Sequence, residues 1–275
     1  MKVQEFRYFG YRVIAKIPYG YSLTPIALLE RFIRYRFAWV PSWFILNFLS
    51  FDKNARDFLF CLLKLKLAKE KLYAQNLQDA AALFFSSGKS KYFIDLGAAY
   101  PYKYSNSAFL QEKGWSGLLV EANPKFYPEL ELRTNDLVTL IRSAVGTIPG
   151  DARLLNAGPL SSLLGFENVD IYGQLRHDLD ANEGPLTVKV IAVIDLFKEK
   201  EVEANFGYLS IDIEGVDLLI MQNIFENHFR PSFITIEHNY TKSSIEKIHE
   251  LASEYDYEII CKSLSAQDYW LRSTK

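Results

Sequence analysis

Residues 92–123 constrain the fold of this chain more than any other stretch. Tyr92-Phe93-Ile94-Asp95-Leu96-Gly97-Ala98-Ala99 is an apolar run that closes on an acid and a glycine. A helical segment follows, then Gly117-Leu118-Leu119-Val120-Glu121-Ala122-Asn123, a second apolar run closing on a second acid. The pattern predicts a β-α-β unit of an open parallel sheet with a carboxylate at the carboxyl end of each strand, where such sheets bind ligands. Gly97 lets backbone approach a ligand closely. Glu121 stands where a carboxylate can accept hydrogen bonds from two ribose hydroxyls. The unit predicts binding of a small molecule that contains adenosine.

Charge narrows the choice of molecule. A dinucleotide needs a G-x-G-x-x-G turn, so that its pyrophosphate can lie on a helix N-terminus. Here one glycine, Gly97, is followed by Ala98, Ala99, Tyr100 and Pro101, and the anionic Asp95 would repel a pyrophosphate. Both features suit S-adenosylmethionine, which is cationic at its amino group and sulfonium and has no phosphate. An ordinary doubly wound domain whose strand-end acids cap helices remains the plainer alternative for Asp95 alone.

The 275 residues, 49% of them hydrophobic, can bury one large domain, or one domain with an appendage. The net charge of −2 hides an asymmetry: residues 1–72 hold 13 basic against 5 acidic side chains, leaving 18 against 28 for the rest. A basic front and an acidic back suggest two functional surfaces. Cys61 and Cys261 lie far apart in apolar runs, which fits a reducing cytoplasm better than a disulfide framework or a zinc site. Charges, Gly10, Pro18 and Gly20 break residues 1–20, so no secretory signal is expected. The run Phe37–Phe51 is shorter than the ~20 residues of a bilayer span and contains Pro41. With Arg31, Arg34, Arg36, Lys53 and Arg56 around Trp39 and Trp43, it can lie at a membrane surface, or pack on the domain or on a second copy in a homodimer.

Residues 1–74 read as a basic, aromatic helical region, with helices expected from Thr24-Pro25 and through Ala55–Tyr73 after Asp52, and a further one over Asn76–Ser86. From Lys91 onward, strands and helices alternate. Tyr92–Asp95, Leu118–Glu121, Leu137–Arg142, Tyr208–Asp212 and Phe233–Glu237 are short apolar runs expected as parallel strands. Helices are expected over Ser105–Lys113, Pro124–Arg133, Ile194–Lys200, Val216–Phe225 and Thr241–Glu254, with an extra extended segment at Leu186–Val193. Tyr257–Ser263 and Asp268–Arg272 are close enough to form an antiparallel hairpin. Five parallel strands closed by a hairpin make a doubly wound α/β fold, a mostly parallel seven-stranded Rossmann-like sheet of the methyltransferase kind with the N-terminal region appended.

Four blocks, FIDLGAAYPYKYSNSAFLQEKGW (93–115), SGLLVEANP (116–124), GYLSIDIEGVDLLIMQNI (207–224) and FITIEHNY (233–240), resemble the FkbM-type S-adenosylmethionine-dependent methyltransferases. The tail EIICKSLSAQDYWL (258–271) looks like that family's closing hairpin, and the resemblance covers roughly residues 75–275 in family order. It implies methyl transfer, commonly to hydroxyls on sugars or natural-product scaffolds, by a domain spanning 75–275. The implied cofactor contacts are Asp95, Gly97, Ala98, the Tyr104-Ser105-Asn106 run, Glu121, Ala122, Asn123, Ser143 and Ala144. The I-D-x-E-G motif matches Ile211–Gly215.

An alcohol is a poor nucleophile until a base takes its proton. Asp212, at the end of the fourth strand, is the first candidate for base or acceptor anchor, with Glu214 two residues on; the alternative is that Asp212 binds the cofactor and Glu214 caps a helix. His238, between Glu237 and Asn239, can titrate near neutral pH and is the second candidate base. Asp212, Glu237 and His238 can also form a divalent-metal site, and their spacing leaves the metal undecided. The loop Asn156–Ser162, rich in turn formers and hydroxyls, is of the kind that covers active sites. The expected acceptor is a small-molecule or glycan hydroxyl. A nucleic acid is not expected, because no base-reading Asn-Pro-Pro-aromatic run follows the fourth strand. A binding or scaffold protein that keeps the fold without the chemistry is the rival reading.

Overall fold

The computed structural model describes the backbone of residues 2–8 and 11–17, and residues 53–86, 88–165, 177–178, 180–181, 184–237, 242–262 and 268–275. Strands β1 (Lys2–Tyr8) and β2 (Tyr11–Ile17) pair antiparallel, with Tyr8 opposite Tyr11. The front was expected to be mostly helical, and its first residues are instead this hairpin. Two runs of seven residues, rich in aromatic and β-branched side chains, flank a two-residue connection ending in Gly10, which is hairpin chemistry. The helix expected from Thr24-Pro25 lies outside the described residues.

The main sheet has seven strands: β3 (Tyr92–Leu96), β4 (Ser116–Glu121), β5 (Val138–Arg142), β10 (Tyr208–Ile211), β11 (Phe233–Glu237), β12 (Tyr257–Ile260) and β13 (Asp268–Ser273). Their order is β12-β13-β11-β10-β3-β4-β5. β3, β4, β5, β10 and β11 run parallel, and β13 is antiparallel to both of its neighbours. The chain reverses direction across the sheet between β3 and β10, and ligands bind at such a switch point in open α/β sheets. A second sheet, ordered β6-β9-β7-β8, is made of β6 (Ala144–Gly146), β7 (Gly150–Leu155), β8 (Ser162–Leu163) and β9 (Leu186–Ala192).

Side chains alternate across the main sheet, so each strand feeds two cores. On one face α5 (Val193–Glu199), α6 (Asp217–Glu226) and α7 (Lys242–Glu254) pack Phe197, Ile220, Ile224 and Leu251 against Ile94, Leu96, Leu209 and Ile234. The other face receives α1 (Lys53–Leu67), α2 (Gln78–Phe85), α3 (Ala108–Glu112) and α4 (Tyr127–Glu131) against Phe93, Leu119, Tyr208, Phe233 and Trp270. Phe58 of α1 meets Phe85 at 5.6 Å and the edge of Trp270 at 5.4 Å. The expected boundary at residue 74 therefore runs through one packed layer, with α1 part of the sheet's own core. Asp79 closes that layer's loop, its carboxylate accepting from the Tyr73 and Ala74 N–H groups at 2.7 and 3.1 Å.

Candidate functional site

Gly97 ends β3 with φ +87, and a Cβ there would stand 1.9 Å from the carbonyl oxygen of Asp212. Only glycine permits both the turn and the approach of the two strand ends. The Gly97 N–H donates to the Val120 carbonyl (2.9 Å), and the Asp212 N–H donates to that of Leu96 (3.0 Å). Glu121, at the end of β4, is buried and accepts from the Ala99 N–H at 2.8 Å on one oxygen and from the Asn123 N–H at 2.6 Å on the other. Burial pushes its pKa up to about 7 against these hydrogen bonds.

Gly97, Glu121, Ala122, Ser143, Ala144 and Asp212 line one cleft, whose enclosed volume is about 50 Å³. The loop Asn156–Ser162 supplies Gly158, Pro159 and Ser161 to its wall, as the turn chemistry suggested. Asn123 ties that loop down, its side-chain NH2 donating to Asn156 Oδ1 and Ser161 Oγ, both at 3.1 Å. Its own oxygen accepts from the Lys125 N–H and so starts the helical turn before α4. Ser143 Oγ donates to the Lys189 carbonyl at 2.9 Å, which joins the two sheets. Phe126, Leu154 and Ile213 also line the cleft; as apolar residues they gave no signal in the sequence.

Asp95, Ala98, Tyr104, Ser105, Asn106, Asn123 and Glu214 are not part of the cleft wall. Asp95 faces inward, accepting from Ser107 Oγ at 2.5 Å. Arg133, only 2% exposed, donates to Ser105 Oγ at 2.9 Å and Ser107 Oγ at 3.2 Å, and its charge offsets the burial that raises the Asp95 pKa. Ser105 Oγ also accepts from the Ala108 N–H and so caps α3. Asn106 donates to Ser210 Oγ at 2.9 Å, joining this loop to β10. Tyr104 is 55% exposed and holds φ +60. The expected Y-S-N contact set thus divides into a helix cap, a strand tie and an outward ring. Arg133 was not anticipated, because an arginine in a helical stretch reads as solvated until the fold places an acid beside it.

A second cluster of acids sits at the ends of β10 and β11. Oxygens of Asp212, Glu214 and Glu237 lie within 4.8 Å of one another, so these three carboxylates could hold a divalent cation. Asp217, not anticipated either, shapes the intervening loop by accepting from the Ile213 N–H at 3.0 Å and the Gly215 N–H at 2.8 Å. Glu214 within it holds φ +57. Burial, then repulsion from Glu214, Asp268, Asp217 and Asp95, raises the Asp212 pKa well above the usual carboxylate range. Asp212 is still open to solvent, so repulsion carries more of this shift than lost hydration. Glu237 is pushed up to about 11 by burial and then by Asp212 and Glu214, and among the described residues its Oε2 has no hydrogen-bond partner. Across the register from Glu237, Asp268 accepts a short hydrogen bond from the Gln78 amide. His238 and Asn239 lie outside the described residues.

A family model described as the methyltransferase FkbM domain matches residues 95–259. No curated protein matches the chain closely enough to count as a relative. Among solved structures, similar ones include the methyltransferase FkbM from Methylobacillus flagellatus KT, at 16% identity over 80% of this chain and 54% of that one, with a TM-score of 0.45. The chain therefore spans about half the length of that protein. The SAH-bound methyltransferase PaMTH1 from Podospora anserina aligns at 8% identity over 95% of this chain and 99% of that one, TM-score 0.43. The METTL16 MTase domain aligns at 12% identity over 81% of each, TM-score 0.42.

Proposed function

Since the chain belongs to the FkbM methyltransferase family, we propose that it uses S-adenosylmethionine to methylate a hydroxyl of a glycan or a similar polar acceptor. The observation that carries this reading is Glu121, a carboxylate in the cleft wall whose two oxygens are oriented by backbone N–H groups. An ionised carboxylate offers about four acceptor positions, so capacity remains for ribose hydroxyls. The residues fit the cofactor in two further ways. The turn at Gly97 has no second glycine to cradle a phosphate, and the acids along the sheet edge favour a cationic ligand over an anionic one.

S-adenosylmethionine supplies a methyl group on a sulfonium, which an acceptor oxygen displaces in line. The protein's own part is to hold the acceptor in position and to take its proton. Asp212 is suited to taking the proton, because it is open to the cleft and its raised pKa brings its basicity closer to that of a working general base. Glu214, Asp268, Asp217 and Asp95 supply the negative charge that, with burial, raises it.

Calorimetric titration of the protein with S-adenosylhomocysteine, NAD and ATP in parallel tests the cofactor; binding of the homocysteine alone is expected, and binding of NAD instead would overturn the reading. Labelled methyl transfer offered to glycans, to small alcohols and to RNA tests the acceptor, with alkali-stable label on the glycan expected. The same proposal extends to a peripheral membrane contact through the basic front. Leu67 of α1 is 69% exposed near Lys64 and Lys66, and no helix among the described residues is long and apolar enough to cross a membrane. Sedimentation with anionic vesicles at low and high salt tests that extension.

A further inference from the structure

Tyr104 was expected to touch the cofactor, and the structure turns it away from the cleft. It belongs instead to a row of rings and ammonium groups formed by the loop between β3 and α3 and by Lys71 and Tyr73 of the segment between α1 and α2. Tyr102 and Tyr104 are 45% and 55% exposed. Lys103 Nζ lies 4.9 Å over the Tyr104 ring and 5.6 Å over that of Tyr100. Tyr102 packs at 5.6 Å against Tyr73, and Lys71 Nζ lies 4.6 Å over Tyr73 from its own side. Tyr73 is itself held by a short hydrogen bond from its hydroxyl to Glu112.

Three observations connect this row to the cleft. The Ala99 N–H at the loop's start donates to Glu121. Tyr100 packs edge-on at 5.0 Å against Phe126, which is part of the cleft wall. Ala99 and Tyr104 both hold positive φ, +43 and +60, so the loop accepts backbone strain twice in six residues, a cost that persists at binding sites when the surroundings over-determine the conformation. Tyrosine gives a large, rigid contact face at little cost in side-chain freedom, and its electron-rich face attracts polarised C–H groups as it does the ammonium groups already seated there.

Ring faces beside single ammonium groups suit two kinds of acceptor, a saccharide with an acidic group or a single-stranded nucleic acid. A nucleic acid needs a basic groove that tracks its backbone. Here the row borders a cleft whose wall carries Glu121 and Asp212, with Glu214 grouped beside Asp212, and these acids would repel successive phosphates. The single charge of a carboxylate matches one lysine, whereas a phosphate monoester brings about −1.5 to −2 into the same acidic surroundings. Resting on the methyltransferase reading above, we propose that Tyr73, Tyr102 and Tyr104 with Lys71 and Lys103 form the acceptor-docking surface, and that the acceptor is a saccharide carrying a carboxylate, a uronic-acid glycan. Its sugar faces lie on the tyrosine rings and its carboxylate meets a lysine, which leaves a hydroxyl free to enter the cleft.

The full-length protein applied to an array of neutral, uronate-containing and phosphorylated glycans, together with single-stranded RNA, tests this. Binding confined to the uronate glycans is expected, weakened about 10-fold or more in Tyr102→Ala/Tyr104→Ala and in Lys71→Gln/Lys103→Gln. All these side chains except Tyr73 can be changed without opening the buried core, and the homocysteine product should bind both double variants as it binds the parent. Neutral glycans binding equally well, phosphorylated glycans or RNA binding better, or no glycan bound at all would each overturn the proposal. So would a variant that loses homocysteine affinity while keeping glycan binding, because Tyr104 would then belong to the cofactor. Methyl transfer to the bound glycan is scored separately. Tyrosine-dependent binding without transfer leaves the docking surface standing and removes the proposed chemistry.

Discussion

At the ends of β3 and β4, Asp95 and Glu121 are each met by donors: Ser107 and the charge of Arg133 for the first, two backbone N–H groups for the second. At the ends of β10 and β11, oxygens of Asp212, Glu214 and Glu237 lie within 4.8 Å of one another. Both groups of acids sit on one sheet edge, on adjoining pairs of strands, with β10 paired to β3. Donors already in place hold a carboxylate in one orientation before any ligand arrives, which lowers the ordering cost of binding. Carboxylates that repel each other have raised pKa values, so the one that is ionised is a stronger base toward a substrate proton. In the proposed function, the first half of the edge binds and the second exchanges a proton.

Breaking the hinge between the halves should have the largest effect. Gly97→Ala would place a Cβ 1.9 Å from the Asp212 carbonyl at a φ that alanine resists. We expect it to cost at least about 3 kcal/mol, read either as homocysteine affinity lowered about 100-fold or as a lowered melting temperature. A variant with normal affinity and stability would show that the two strand ends are not locked together.

Asp212→Asn comes next and separates the halves most cleanly. Turnover on an authentic acceptor should fall about 10²- to 10⁴-fold, the usual cost of a lost base, while homocysteine affinity changes little. An equal loss in both would move Asp212 into the binding half, the alternative left open by its place beside Gly97.

The binding half was more legible in the sequence than the reacting half. Strands buried on both faces are short continuous apolar runs, so β3, β4, β5, β10 and β11 could be read to within two residues at each end. Gly97 and Glu121 stand at their ends and needed only that reading. The second sheet was legible only at β9, because β7 carries Gly150, Asp151 and Arg153 and lacks the apolar run. Tyr104, Ser105 and Asn106 show the further limit: adjacency places a loop at the site, but only the fold decides which side chain turns inward. Arg133 and Asp217 act through partners distant in sequence or through backbone N–H groups, and a residue string records neither.

Within the binding half, Glu121→Ala should weaken homocysteine binding by about 1.5–3 kcal/mol, the range for hydrogen bonds to a charged group. Its pKa near 7 adds a sharper signature. A carboxylate accepts hydrogen bonds best when ionised, so parent affinity should rise as pH increases through about 7 and then level off. Glu121→Gln should bind weakly at every pH, without that step. A parent profile flat from about pH 5.5 to 8.5 would show that Glu121 is already ionised throughout, with its backbone donors outweighing burial.

The smallest effect expected is on stability, and it tests the frustration of the reacting half directly. Glu237 titrates near 11 in the folded protein, against an ordinary value of 4.5, so the folded chain binds a proton that the unfolded chain releases. The stability this contributes is fully present below about pH 4.5 and is lost progressively as pH rises toward the folded value. Glu237→Gln keeps the shape of the neutral acid and removes the titration. Its stability relative to the parent should therefore climb with pH between about pH 5 and pH 9. Urea unfolding of both proteins at the two pH values reads this difference. A gap that stays constant would mean that Glu237 is charged in the folded state and that its neighbours tolerate it. The contrast between the two halves of the sheet edge would then rest on Asp212 and Glu214 alone.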